Sequence, residues 1–374
     1  MKTSIVIDLG FGDSGKGITT DYLAKQDAEN SLVIRFSGGH QVGHTVMKND
    51  FIHTFSNLGS GTLRGVPTYY SEHTTLFPSG LLEEYGYVQS FAPKLIMHPL
   101  VMVTTPYDIA YNMAVEKANQ HGSCGVGFGA TVARNEAGVV LFAKDLAHKW
   151  VLEEKLKAID GYYERLLAMD GRKEVLTYYR EVVEDYDNDA FIRESMGSLT
   201  YFSIATLGEI YEGYEHLVFE GSQGILLDQL HGIFPHVTRS FTTCKNAMEI
   251  IQDLPKTGEI DLYYVSRCYQ TRHGNGPMSS TEAVTLINDE HEANQTNEFQ
   301  GALRTAVLDA QLLNYALVSD KVYHGQKTIK KHLVVTCLDQ LPSFEVGELV
   351  KVLDCDFEGV LGSYSPDSKS FETI

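Results

Sequence analysis

Positive charge is what this chain has least of: 30 Lys and Arg stand against 49 Asp and Glu in 374 residues, a formal net charge of −19. That balance excludes broad binding to a nucleic-acid backbone, which needs clustered cations to displace counterions. Long apolar runs are missing too, and none approaches the roughly 20 residues that cross a bilayer, so no membrane partner is expected. Five cysteines (Cys124, Cys244, Cys268, Cys337 and Cys355) are scattered and odd in number, with no C-x-x-C pair. They suggest neither a disulfide framework nor a zinc site, and they fit a reducing cytoplasm, the host's if the source is viral. Met1 to Ser4 lead directly into an apolar strand, so no cleaved signal is expected. What is present is ordinary globular composition, 43% hydrophobic, in a length sufficient for one large domain or two of common size.

The most informative stretch is Ile5-Val6-Ile7-Asp8-Leu9-Gly10-Phe11-Gly12-Asp13-Ser14-Gly15-Lys16-Gly17. An apolar, strand-like run breaks into glycines and a lysine just before a helical pattern through Thr19–Lys25. Glycines let backbone N–H groups turn toward an anion, the helix presents its positive end, and Lys16 adds a full charge. The spacing of Gly10, Gly15 and Lys16 matches a P-loop, except that Gly17 stands where a magnesium-binding Ser or Thr is expected. Asp13, inside the loop, is the obvious substitute ligand.

A second apolar run, Ser31–Phe36, ends in another glycine-rich loop, Ser37-Gly38-Gly39-His40-Gln41-Val42-Gly43-His44-Thr45. Loops at the carboxyl ends of parallel strands line the ligand crevice of an open α/β sheet, so the two loops should face one another. Further strands are expected at Lys94–Met97, Leu217–Glu220, Ile260–Val265 and Lys331–Thr336. From about residue 141 to 211 apolar residues recur at helical spacing through Trp150, Leu152, Leu156, Ile159 and Leu166, with acidic residues between them. The expected architecture is one α/β domain over 1–374: a P-loop-related, mostly parallel central sheet with a helical subdomain at about 141–211 and small mixed insertions. No internal repeat marks a solenoid.

Three later segments complete the pattern: Phe219-Glu220-Gly221-Ser222-Gln223-Gly224 through Asp228, His231-Gly232-Ile233-Phe234-Pro235-His236-Val237-Thr238, and Thr271-Arg272-His273-Gly274-Asn275-Gly276-Pro277. Taken in order with the two loops, and with Val335–Asp339 and Ser363–Asp367, they resemble the signature segments of adenylosuccinate synthetase across most of the chain. The resemblance implies a ligase that joins L-aspartate to C6 of a 6-oxopurine nucleoside monophosphate through a 6-phosphoryl intermediate, with a nucleoside triphosphate and Mg2+. It implies Asp13 as the base at purine N1 and as a metal ligand, His44 as the acid at O6, Lys16 on the phosphates and the Gly43 carbonyl in the metal shell. It implies nucleotide contacts from Gly12, Ser14, Gly15, Gly17, Asp21, Gln41, Thr45, Ser123, Cys124, Gln223 and Thr238. Leu338, Asp339, Ser363 and Pro366 fall where the family holds the base of the triphosphate. Arg134 matches an arginine that reaches across a twofold interface to the neighbour's nucleotide, implying a homodimer. Arg272 is open between holding its loop and touching nucleotide. His40, His231 and His236 read as structural.

Departures from the family pattern cluster on specificity. Ser14 replaces a glutamate, which could admit a 2-amino group beside the purine. The aspartate-binding loop reads Asn297-Glu298-Phe299-Gln300-Gly301-Ala302-Leu303-Arg304-Thr305 and keeps a single arginine, Arg304. Val126 replaces another arginine, and a lost guanidinium–carboxylate contact must be offset elsewhere or the amine donor has changed. Cys337 and Ser365 alter the triphosphate's base pocket. The acceptor is therefore open between IMP and a guanine nucleotide, GMP or dGMP, and the donor between GTP and ATP or dATP. A plain P-loop phosphotransferase leaves His44 and the Gln223 segment unexplained, and a nucleotide-binding regulator would not need Asp13, Lys16 and His44 together.

Overall fold

The computed structural model describes residues 1–119, 123–287, 292 and 303–374. Its centre is a ten-stranded sheet. From one edge the strands run Phe371–Thr373, Gly359–Ser363, Ile329–Thr336, Ile260–Arg267, Lys2–Asp8, His216–Gly224, Ser31–Arg35, Thr68–Tyr70, Leu95–Met97 and Phe202–Ile204. Every pairing is parallel except the last hairpin at the Phe371 edge. The expected mostly parallel α/β sheet is thus present.

Parallel strands covered on both faces read as unbroken apolar runs, and here the two faces go to different cores. Ile5 and Ile7 pack with Ile34, Phe219, Leu262 and Leu333 under the helices Lys245–Asp253 and Ala310–Lys321. Val6, Val33, Val218, Val265 and Val334 face the other way, onto Leu23 and Ala24 of the helix Lys16–Ala24. The first two strands of the chain are not neighbours. His216–Gly224 lies between Lys2–Asp8 and Ser31–Arg35, so the loops following all three strands open at one rim. A crevice at that rim follows from the topology.

Between residues 141 and 211 lie the helices Lys149–Asp170, Lys173–Glu184 and Asn188–Ser198, but also the edge strand Phe202–Ile204. A strand of three residues is too short to show a period of two, which is why the sequence pattern misses it. The buried stripe of the long helix is Leu152, Leu156, Ile159, Tyr163 and Leu167, whereas Trp150 is 72% exposed. Trp150 sits in the helix's first turn, two positions before the stripe, and falls on the opposite face.

Leu156→Ala should accordingly lower unfolding stability by about 2–5 kcal/mol, while Trp150→Ala should change it by no more than about 0.5 kcal/mol. Urea unfolding followed by circular dichroism checks both.

Candidate active site

Asp8, the last residue of the central strand, ends in a fully buried carboxylate under the phosphate loop. Oδ1 accepts from the Gly10 N–H at 2.7 Å and the Ser14 hydroxyl at 2.9 Å; Oδ2 accepts from the Ser14 N–H at 3.1 Å and Lys16 Nζ at 3.0 Å. One carboxylate therefore gathers the loop around itself. Nothing in the phosphate-loop pattern points to Asp8, although its place at the end of the strand was a signal. The Ser14 side chain turns inward to Asp8 and lines neither large cavity.

Gly15 caps the helix Lys16–Ala24 with φ 97°, a left-handed conformation, and a Cβ there would meet Thr336 at 2.8 Å. At Gly17 a Cβ would lie 2.8 Å from the His44 Cβ and 3.1 Å from Ser60 Oγ. That contact explains why a Ser or Thr is absent from this position: His44, on the second loop, occupies the space. The two loops do face one another.

His44 is anchored from behind. Its Nδ1 lies 2.8 Å from Glu220 Oε1, and Ser60 donates to the same carboxylate from both its N–H and its hydroxyl. Burial opposes charge on Glu220, but His44, Ser60 and Arg35 outweigh it and hold its carboxyl below the ordinary value. His44 Nε2 is buried and has no partner among the described residues. An imidazole oriented at one nitrogen and vacant at the other is equipped to hydrogen-bond a ligand. Glu220 carried no functional signal of its own in the sequence, because a residue buried in the central sheet reads as core.

Two cavities meet at this point. One, of about 340 Å³, is lined by Phe11, Asp13, Gln41, Gly43, Ser123, Cys124, Gln223, Thr238, Arg239, Arg272 and His273 among others. The second, of about 300 Å³, is lined by Asp13, Gly15, Lys16, Gly17, Gly43, His44, Thr45, Arg267, Cys337, Asp339, Ser363 and Pro366. Asp13 and Gly43 belong to both walls. Asp13 has φ 58°, unusual for a non-glycine residue, and its backbone carbonyl accepts from Arg267 Nε at 2.6 Å. Arg267, itself buried and bonded to Tyr269 and Glu292, was missed from sequence; its position at the carboxyl end of a central strand was the available clue. Gln41 presents both amide atoms buried and unpartnered among the described residues.

The remaining candidates divide. Arg272 holds its loop, its Nη1 donating to Pro277 O at 2.5 Å and its guanidinium lying 4.0 Å over the Phe11 ring, and its side chain also forms part of the first cavity. Burial, with Arg304 nearby, pushes it down to about 10. Arg304 donates to the carbonyls of Gly274 and Gly276 and so holds that loop. Burial pushes the Cys124 thiol up, which suits an unreactive wall residue. Asn297 to Ala302 lie outside the described residues.

Four further candidates lie outside the linings of both cavities. Within the single chain Arg134 is 0% exposed, gripping Asp108 with Nε at 2.8 Å and the Val139 and Val103 carbonyls with its other nitrogens. Asp21 is fully buried and held bidentately by Arg64 at 2.8 and 2.7 Å, away from both cavities. Leu338 packs in the core, with only its neighbours Cys337 and Asp339 facing the second cavity. Gly12 lies against Gln223 Oε1 and lines neither space.

The family model for adenylosuccinate synthetase matches residues 5–352. The chain belongs to the adenylosuccinate synthetase family. It is 30% identical to the adenylosuccinate synthetase of Buchnera aphidicola subsp. Schizaphis graminum over 85% of this chain and 74% of that one. It is 27% identical to that of Mannheimia succiniciproducens over 96% and 85%. Among solved structures it resembles a fully ligated adenylosuccinate synthetase from Plasmodium falciparum, with a TM-score of 0.67 at 18% identity over 100% of this chain and 87% of that one. It also resembles the cyanophage S-2L succinoaminodeoxyadenylate synthetase bound to dGMP and dATP, with a TM-score of 0.65 at 16% identity over 100% and 95%. Members of the family are ligases that form a carbon–nitrogen bond and require a divalent metal. The junction suits such an ion: the Asp13 carboxylate is 29% exposed there, with His273 Nε2 3.6 Å away, and hard oxygens are the donors a small divalent cation takes. Among the described residues no helix is long and apolar enough to cross a membrane.

Gly17→Ser, which restores the usual P-loop residue, should push His44 aside. Turnover is expected to fall by about 100-fold, the effect of an ångström-scale misplacement, and the overpacking should cost about 1–3 kcal/mol of stability; ligase kinetics and a melting curve check it.

Proposed function

We propose that the protein joins L-aspartate to C6 of a 6-oxopurine nucleoside monophosphate, using a nucleoside triphosphate and Mg2+ and releasing the diphosphate and phosphate. The observation that carries this is the pair of cavities sharing Asp13 and Gly43, with the vacant Nε2 of His44 beside them. A purine in the first cavity and a triphosphate in the second would meet at that shared wall.

The C6 oxo group is a poor leaving group and must be activated. The Asp13 carboxylate takes the proton from N1, which places electron density on O6. O6 then attacks the terminal phosphorus of the donor, and the diphosphate leaves. His44 Nε2 hydrogen-bonds O6 during this transfer, held in place by Glu220. Lys16 and the loop amides stabilise the charge on the phosphates, for which Lys16 would exchange its contact with Asp8. The Asp13 carboxylate and the Gly43 carbonyl would hold Mg2+, which would supply charge neutralisation on the phosphate oxygens. The amine of aspartate next attacks C6 and the phosphate leaves, giving the N6-succinyl nucleotide. Gln41, Gln223 and Thr238 would position the purine, and Asp339 with Ser363 the donor's base. A homodimer in the cytoplasm is the expected working form, the dimer resting on the resemblance at Arg134.

The second reading, a guanine deoxynucleotide acceptor with ATP or dATP as donor, is favoured by Cys337 and Ser365 in the donor cavity and by Val126 before the acceptor-cavity helix Phe128–Glu136.

Both readings are separated by incubating the protein with L-aspartate, Mg2+ and every combination of IMP, GMP or dGMP with GTP, ATP or dATP, reading products by mass spectrometry. An aspartyl adduct from one acceptor is expected, and Asp13→Ala should reduce its formation by about 10²–10⁴-fold. Triphosphate hydrolysis with no adduct in any combination would overturn the ligase assignment.

A further inference from the structure

A monophosphate dianion entering a chain of net charge −19 needs local cations. Two arginines stand in the wall of the acceptor cavity, Arg272 and Arg239. Arg272 is committed: it is bonded to backbone carbonyls, stacked on Phe11 and 2% exposed. Arg239 is not. Its Nε and Nη2 lie 3.1 and 2.5 Å from Glu136 Oε2, and the two side chains are 49% and 54% exposed. Such an exposed pair contributes little and is screened by salt. Glu136 is not part of the cavity wall, whereas Arg239 follows Thr238 directly and packs beside Gly129, both of them cavity residues.

We infer that Arg239 is the cation that binds the 5′-phosphate of the acceptor nucleotide, within the same chain, by exchanging Glu136 for the phosphate oxygens. This rests on the acceptor assignment above. The guanidinium fork matches two phosphate oxygens, and the exchange replaces a weak exposed carboxylate contact with a charge-assisted bidentate one. Arg239 is then a specificity residue: it distinguishes a nucleotide from its nucleoside without touching the purine.

The test is equilibrium binding, by isothermal calorimetry, of IMP, GMP and dGMP and of the matching nucleosides to the unaltered protein, Arg239→Ala and Glu136→Gln. Arg239→Ala should bind the preferred monophosphate about 10- to 100-fold more weakly and its nucleoside equally well. Glu136→Gln, which removes the competing carboxylate, should bind the monophosphate at least as tightly as the unaltered protein. Unchanged monophosphate binding by Arg239→Ala would overturn the inference. So would equal weakening for nucleoside and nucleotide, or weakening by Glu136→Gln to match, since either would mean that the ion pair only positions its loop. If the unaltered protein bound none of the purines, the acceptor assignment itself would fail, and that outcome is distinct from a failure of Arg239 alone.

Discussion

The buried carboxylate of Asp8 is the point from which the catalytic rim is built. Four contacts converge on it, two from backbone amides of the phosphate loop, one from the Ser14 hydroxyl and one from Lys16. A loop of small residues has no packing to define its shape, so a central anion that satisfies its amides takes that role. Removing a buried charge from water is unfavourable, and only this complete set of partners offsets it. The same contacts hold Lys16 inside the loop until a phosphate competes for it.

From that anchor the geometry passes outward in two steps. The loop brings Asp13 to the rim in a left-handed conformation, braced from behind by Arg267. The helix that follows brings Gly17 against His44, and His44 in turn leans on Glu220 of the neighbouring strand. A carboxylate, an imidazole and the carbonyl of Gly43 thereby stand where two cavities join. None of them is near another in sequence except within its own loop. Their assembly depends on His216–Gly224 entering the sheet between the first two strands of the chain.

Charge is managed locally throughout. The chain is strongly acidic, yet the buried carboxylates at the site each have specific partners: Asp8 is paired with Lys16, and Glu220 is hydrogen-bonded to His44 and Ser60. Buried arginines are handled likewise, Arg134 by Asp108 and Arg267 by Glu292. What remains available to a ligand is a short set of groups: the Gln41 amide, His44 Nε2, the Asp13 carboxylate and the exposed Arg239.

The sequence by itself determined the parallel α/β architecture and the chemistry of the rim. Unbroken apolar runs ending in glycine-rich loops have few other solutions, and a glycine loop with Lys16, followed by a second loop with His44, states its purpose in residue types. The helical stripe of Leu152, Leu156 and Ile159 was legible because a period of 3.6 is written over many turns. Only the tertiary structure decided direction and partnership. Whether Ser14 faced a purine or Asp8, whether Arg134 reached outward or inward, and whether Asp21 met a nucleotide or Arg64 are questions of which long-range neighbour each side chain finds. Local sequence names a donor or an acceptor but not its partner, and here those partners come from distant elements, 176 residues apart for His44 and Glu220 and 254 for Asp13 and Arg267.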